Sequence, residues 1–165
     1  MQKTLEEHIE RAKELLKTAR HASMATVNED GSPHNTPFLF MHDDLFKNIY
    51  WGSHLDSQHS QNAVRTGQIF VVLYDAVERG GLYIKAKDAH PLEGSELIAA
   101  LKVHNNLRLA RGQDQLPLDY YTGDSPQHMW SASIAQLWVN GALRDGDGHV
   151  VQDIRVEISA SDLLQ

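Results

Sequence analysis

The sequence predicts a mainly β, α+β fold: six antiparallel strands closing, or nearly closing, into a barrel with flanking helices. Two observations carry that prediction. Short apolar or alternating runs recur along the chain with turn chemistry between them. The connections between most of them are also short, as antiparallel neighbours require. Closure then follows, because a closed sheet has no exposed edges.

Taken in order, residues 4–20 place Leu5, Ile9, Ala12, Leu16 and Ala19 at helical spacing, and Thr4 with Glu7 makes a capping-box pattern at the start. Strands are expected over 22–27, 36–41 and 45–51, a meander punctuated by NEDG and HDD. The polar stretch YWGSHLDSQHSQN, 50–62, lies between apolar runs, where one core strand hands over to the next and binding sites commonly form. Its second half starts a short helix with Ser57 at the N-cap and Gly67 as the stop. IFVVLYD at 69–75 and LYIKAKDAH at 82–90 read as strands joined by the turn VERGG. A second long helix over 95–111 aligns Leu97, Leu101 and His104 and ends at Gly112. Residues 113–130, QDQLPLDYYTGDSPQHMW, read as a loop. Strands over 134–144 and 149–159, joined by DGDG, complete the sheet, and SDLLQ makes a last turn. With no repeat and no linker, residues 1–165 are expected to form a single domain.

Composition narrows the function. A chain of 165 residues buries about two-thirds of the surface its unfolded form exposes, so one core suffices. The absence of cysteine excludes disulfide scaffolds, thiolate nucleophiles and Cys-ligated metals, and fits a reducing, cytoplasmic setting. MQKTLEEHIERAKELLKTAR is too charged for a secretory signal, and no apolar run approaches the roughly 20 residues of a membrane helix. With a net charge of −7 and no basic stripe, the long-range field repels nucleic acid. The expected partners therefore include neither nucleic acid nor membrane.

Several motifs fail on their physics. GDGHVV at 146–151 lacks the last glycine of a dinucleotide fingerprint and sits in a hairpin, where no helix N-terminus can receive a phosphate. DGDG at 145–148 opens like a calcium loop, but its twelfth position is Val156 in place of a bidentate Glu. There is no GxSxG elbow. Neither His54 with His59 nor His42 with Asp43 and Asp44 has persuasive metal-ligand spacing, so no metal is expected.

The polar stretch reads better as an anion site. Ser57, Gln58 and His59 fall at a helix start, whose free N–H groups and positive dipole end attract phosphate. An ordinary N-cap followed by surface polar residues would look the same.

Here the chain resembles the pyridoxamine 5'-phosphate oxidase-like, FMN-binding split-barrel superfamily. The carriers are MATVNEDGSPHNTPFLF at 24–40, WGSHLDSQHSQN at 51–62 and LWVN at 137–140. The resemblance implies a six-stranded antiparallel split β-barrel with flanking helices. It implies an FMN phosphate held near Ser53, Ser57 and His59, with Trp51, Gly52 and Asn62 in the same strand-to-helix stretch. It places Thr36, Pro37, Phe38 and Leu39 beside the flavin ring, and Trp138 at the cofactor of a partner subunit, hence a homodimer. An Arg and a Lys that anchor the phosphate in the oxidases are Thr36 and His59 here, which removes two permanent charges. The oxidases' C-terminal Arg-His-Arg pattern is reduced to Arg144 and His149, which argues against vitamin B6 phosphate as substrate.

The functional expectation is an FMN flavoprotein, an oxidoreductase acting on a small molecule with no side chain required as nucleophile. Tyr120, Tyr121, His128 and Trp130 either line a substrate pocket or pack the dimer or barrel end. A non-enzymatic haem-binding protein and a deazaflavin-dependent reductase share the fold and are the alternatives.

Overall fold

A computed structural model of the chain describes residues 3–75 and 80–165. Most of the expected VERGG turn lies outside them. The first helix, α1 (Leu5–Thr18), begins with the expected capping box: Thr4 accepts from the Glu7 N–H, and the Glu7 carboxylate accepts from the Thr4 N–H at 2.7 Å. Its buried face is His8, Ala12 and Leu15, while Leu5, expected on that face, is exposed. Arg11 ties the helix to the sheet through Asp75 at 3.1 Å.

Among the described residues eight strands belong to one sheet: β1 (His21–Val27), β2 (Pro33–Leu39), β3 (Met41–His42), β4 (Asn48–His54), β5 (Gln68–Asp75), β6 (Gly80–Pro91), β7 (Gln127–Arg144) and β8 (Val150–Ile158). The expected mainly β fold stands, with eight strands in place of six. Hydrogen bonding follows the path β2-β1-β5-β6-β7-β4-β3, with β8 added on β7. The first strands therefore do not form one meander. β1 pairs with β2 and β3 pairs with β4, at opposite ends of the path. Between Leu39 and Met41 the chain crosses from one end to the other, and Phe40 spans the gap. The two ends meet through side chains, Phe38 of β2 standing edge-on to Trp51 of β4 at 6.4 Å, with no ladder between those strands. That seam is the split in the barrel.

Two expected boundaries move. The strand expected over 45–51 starts at Asn48 and runs on to His54, so Trp51, Gly52 and Ser53 are strand residues. The region expected as a loop, 113–130, holds a 3₁₀ turn at Leu118–Tyr121 and the first residues of β7. β7 is the spine of the sheet. Its first half pairs with β4 and β6, its second with β6 and β8. β6 bends around a bulge between Lys87 and His90, where Asp88 takes φ 57°.

Side-chain alternation then divides the buried residues. The barrel interior holds Trp51, Trp130, Met24, Ile49, Leu82 and Ile84. Trp51 and Trp130 stack at 5.9 Å with an interplanar angle of 17°. A second cluster forms where α3 (Gly94–Leu109) lies over Met41, Met129 and Tyr121, using Leu97, Ala100 and Leu101. There Tyr121 Oη and His104 Nδ1 are 3.0 Å apart. Burial pushes His104 down and Tyr121 up to about 12, so both are neutral at ordinary pH.

Candidate functional site

The candidate site forms where β4 passes into α2 (Gln58–Thr66). Ile49, Trp51 and Ser53 face inward by strand alternation, so Ser53 is the last inward residue before the chain turns. α2 is fixed by its own polar face. The Asn62 amide donates to Thr26 Oγ1 at 3.0 Å and to Asn28 Oδ1 at 2.9 Å, Gln58 donates to Asn62 at 3.1 Å, and Arg65 donates to the Val27 carbonyl. These bonds lock the helix start against the end of β1. At its other end Gly67, with φ 65°, donates to the Ala63 carbonyl.

Three hydroxyls and one imidazole converge at that helix start. Ser53 Oγ lies 2.9 Å from Ser57 Oγ, 2.7 Å from His59 Nε2 and 3.1 Å from Ser60 Oγ. Ser57 Oγ is also 2.7 Å from Ser60 Oγ, 3.3 Å from His59 Nε2 and 2.9 Å from the His54 carbonyl. Ser57 occupies the N-cap as expected, yet its side chain makes no capping bond. The N–H groups of the first turn are thus left without a side-chain acceptor. Ser53 and Ser60 are buried. Hydroxyls can turn to suit a new acceptor, so an anion can replace the bonds they make with each other.

His59 stacks on His34 of β2, ring centroids 6.5 Å apart and 11° from parallel. Burial, and then the neighbouring His34, hold His59 below the ordinary histidine range. Among the described residues His59 is the one ionisable side chain that hydrogen-bonds the three hydroxyls, with His34 stacked behind it.

The other expected site residues disperse. In β2, opposite residues of the β1 ladder share a face, and the pairs Thr26–His34, Met24–Thr36 and Ala22–Phe38 put His34, Thr36 and Phe38 on the inner side. Pro37 and Leu39 face outward, so Thr36, Pro37, Phe38 and Leu39 cannot all flank one ring from one face. Phe38 and Trp51 are core residues, and Trp51 Nε1 has no hydrogen-bond partner among the described residues. Gly52 faces the opposite side, where a Cβ would lie 3.1 Å from Tyr121 Oη. Trp138 is half-buried on the outer sheet surface, 6.4 Å from Phe70, where Arg155 covers Tyr83 at 4.1 Å. Within one chain it does not join the serine cluster. Ser60 and His34 were missed by sequence reasoning. Ser60 was findable, three residues beyond Ser57 on one helix face; His34 was not, because only the tertiary fold brings β2 to α2.

No family model and no curated protein matches this chain. Solved structures do match it in fold. A protein from Clostridium acetobutylicum related to general stress protein 26 of B. subtilis, of the pyridoxinephosphate oxidase family, aligns with TM-score 0.62 and 14% identity, covering 94% of this chain and 97% of that one. HutZ, the haem storage protein of Vibrio cholerae, aligns with TM-score 0.61 and 15% identity over 81% of this chain and 94% of that one. A haem-binding protein of Mycobacterium smegmatis aligns with TM-score 0.65 and 14% identity over 94% of this chain and 59% of that one. The chain therefore has the split-barrel fold seen in pyridoxamine 5'-phosphate oxidase-like proteins, a fold shared by oxidase-family members and haem proteins. Among the described residues no helix is long and apolar enough to cross a membrane.

Proposed function

We propose that the protein is an FMN-binding flavoprotein, a homodimeric oxidoreductase acting on a small molecule, in which Ser53, Ser57, Ser60 and His59 hold the cofactor's phosphate. The observation that carries this reading is the convergence of three hydroxyls and an imidazole on an uncapped helix start. The donor set suits a phosphate: neutral hydroxyls, backbone N–H groups and a ring that gains charge when an anion arrives. It includes no Lys or Arg, so the imidazole must supply whatever positive charge the site has. FMN supplies the redox chemistry through its ring when bound. The chain's own groups bind, orient and neutralise.

Comparing FMN with riboflavin, which lacks the phosphate, tests the reading directly. Flavin fluorescence titration of the apoprotein is expected to show FMN bound at least about tenfold tighter, since hydrogen bonds to a charged group contribute about 1.5–3 kcal/mol each. Ser57→Ala is expected to narrow that gap. Equal affinity for the two flavins would remove the phosphate site.

A second reading, a haem-binding protein without catalysis of its own, is favoured by the haem proteins among the similar structures. The absorbance of protein purified with its native cofactor separates the two: a flavin spectrum for one, a Soret band for the other.

A further inference from the structure

Away from the serine cluster, a cleft of about 500 Å³ opens between the C-terminal half of α1 and the C-terminal half of α3. Its volume is within the about 300–1,000 Å³ typical of small-molecule sites. The floor is the His42 ring, backed by Phe40, which is itself buried in the barrel core. Phe40, the residue that spans the split, lies beside His42 at 5.7 Å, and the His42 ring is fixed from two sides. It stacks on Phe46 at 4.5 Å, and its Nδ1 is 2.8 Å from the Asp43 carbonyl, which can only accept and so holds the proton on that nitrogen. The walls are apolar, Leu16 and Ala19 from α1 and Val103 and Leu107 from α3.

The rim carries the opposite sign to the rest of the molecule. Lys17 and Arg20 stand on one lip, Lys102 and Arg111 on the other, against the single carboxylate of Asp44. None of the four cations has an ion pair or a side-chain hydrogen bond among the described residues, although the chain as a whole has a net charge of −7. Lys17, Arg20 and Arg111 also lie near helix C-termini, which favour cations. Lys102, in the second half of α3, has no such explanation.

We propose that this cleft is a second binding site, selective for an aromatic carboxylate whose ring lies against His42 between the apolar walls and whose carboxylate is held by the cationic lips. Ring against ring gives offset contact on a surface already in place, and an Arg fork pairs with both carboxylate oxygens at once. The site is separate from the serine cluster, which is built from β4 and the start of α2. It does not depend on the flavin reading.

The test uses 1-pyrenebutyrate as the fluorescent carboxylate and 1-pyrenebutanol as its neutral counterpart, titrated into the full chain with and without excess FMN. The expected result is saturable binding of one pyrenebutyrate per chain, at least tenfold tighter than pyrenebutanol and not displaced by FMN. The double variant Arg20→Glu, Arg111→Glu is expected to lose at least tenfold in pyrenebutyrate affinity while keeping its FMN affinity. Ala110→Trp, which fills the cleft from an exposed position, is expected to block the probe. Arg144→Glu, a charge reversal in the exposed β7–β8 hairpin, is expected to change nothing. Equal affinity for the alcohol, an equal loss in Arg144→Glu, or no saturable binding would overturn the proposal. One-for-one displacement by FMN would overturn it too, by making the cleft the flavin's own site. Failure of FMN to bind anywhere would leave the pyrenebutyrate result standing and would count only against the flavin reading.

Discussion

His59 is the residue on which the phosphate reading can be tested most sharply. Burial and His34 already hold its pKa below the usual range in the free protein, so the ring is neutral at pH 7. A bound phosphate dianion favours the imidazolium and raises that pKa, so binding takes up a proton. The sign is therefore clear: affinity falls as pH rises from the ring's lowered pKa in the free protein to its raised pKa in the complex, and levels off above that. Below about pH 6 the phosphate itself loses its second charge, which gives a maximum between the two limits. FMN titration from acid to alkaline pH at fixed ionic strength is expected to show that maximum. His59→Ala should lower affinity near the maximum and flatten the alkaline limb, and His59→Lys should hold affinity high into alkaline pH. An unchanged alkaline fall in His59→Ala would mean that His59 is not the phosphate's titrating partner, and that the helix start and the serines carry the anion by themselves.

At the scale of the element, β7 carries two tryptophans with different work to do. Trp130 is fully buried, stacked on Trp51, and its Nε1 donates to the Ser53 carbonyl at 3.3 Å. Trp138 is half-buried on the outer face. Trp130→Ala is expected to cost about 3–5 kcal/mol in urea unfolding, the range for large aromatic truncations in a core, and to disturb the serine site through the lost Ser53 contact. Trp138→Ala is expected to cost clearly less stability but to weaken FMN binding if a partner subunit's flavin rests on it. The reverse order of stability losses would mean that Trp130 is not a core residue. α2 makes a simpler case. Gly67 ends it in the left-handed region, where a Cβ is strained even though space around it is open. Gly67→Ala is expected to lower stability by about 1–2 kcal/mol, read as a shift in the unfolding midpoint at unchanged m-value.

For the molecule as a whole, assembly turns on the outer sheet face. Phe70, Tyr83 and Trp138 lie there partly exposed, with Val72 in the same row and Tyr74 open to solvent. A two-fold dimer would bury this face against its own copy and bring Trp138 of one subunit toward the site of the other. Light scattering is expected to give twice the chain mass of 18.6 kDa. A monomer at micromolar concentration that still binds FMN would end the shared-site reading.

Much of this architecture was legible in the residues. The capping box at Thr4, the stop at Gly67, the strands over 69–75 and 82–90 and the mainly β class follow from local rules: side-chain period, capping chemistry and the glycine preference of positive φ. So did the polar character of the 50–62 stretch and the position of Ser57 at a helix start. The start of β7 was hidden because Ser131, Ala132 and Ser133 dilute the β signal, and their strand is imposed by β4 and β6 on either side. Only the tertiary structure decided that β2 and β3 lie at opposite ends of the sheet, and hence that His34 meets His59 across a seam. It alone decided that Thr36 and Pro37 face apart, and that His42 floors a cationic cleft between two helices far apart in sequence. Local preference acts over a few neighbouring residues, whereas these placements depend on which strand ends meet when the sheet curls and closes.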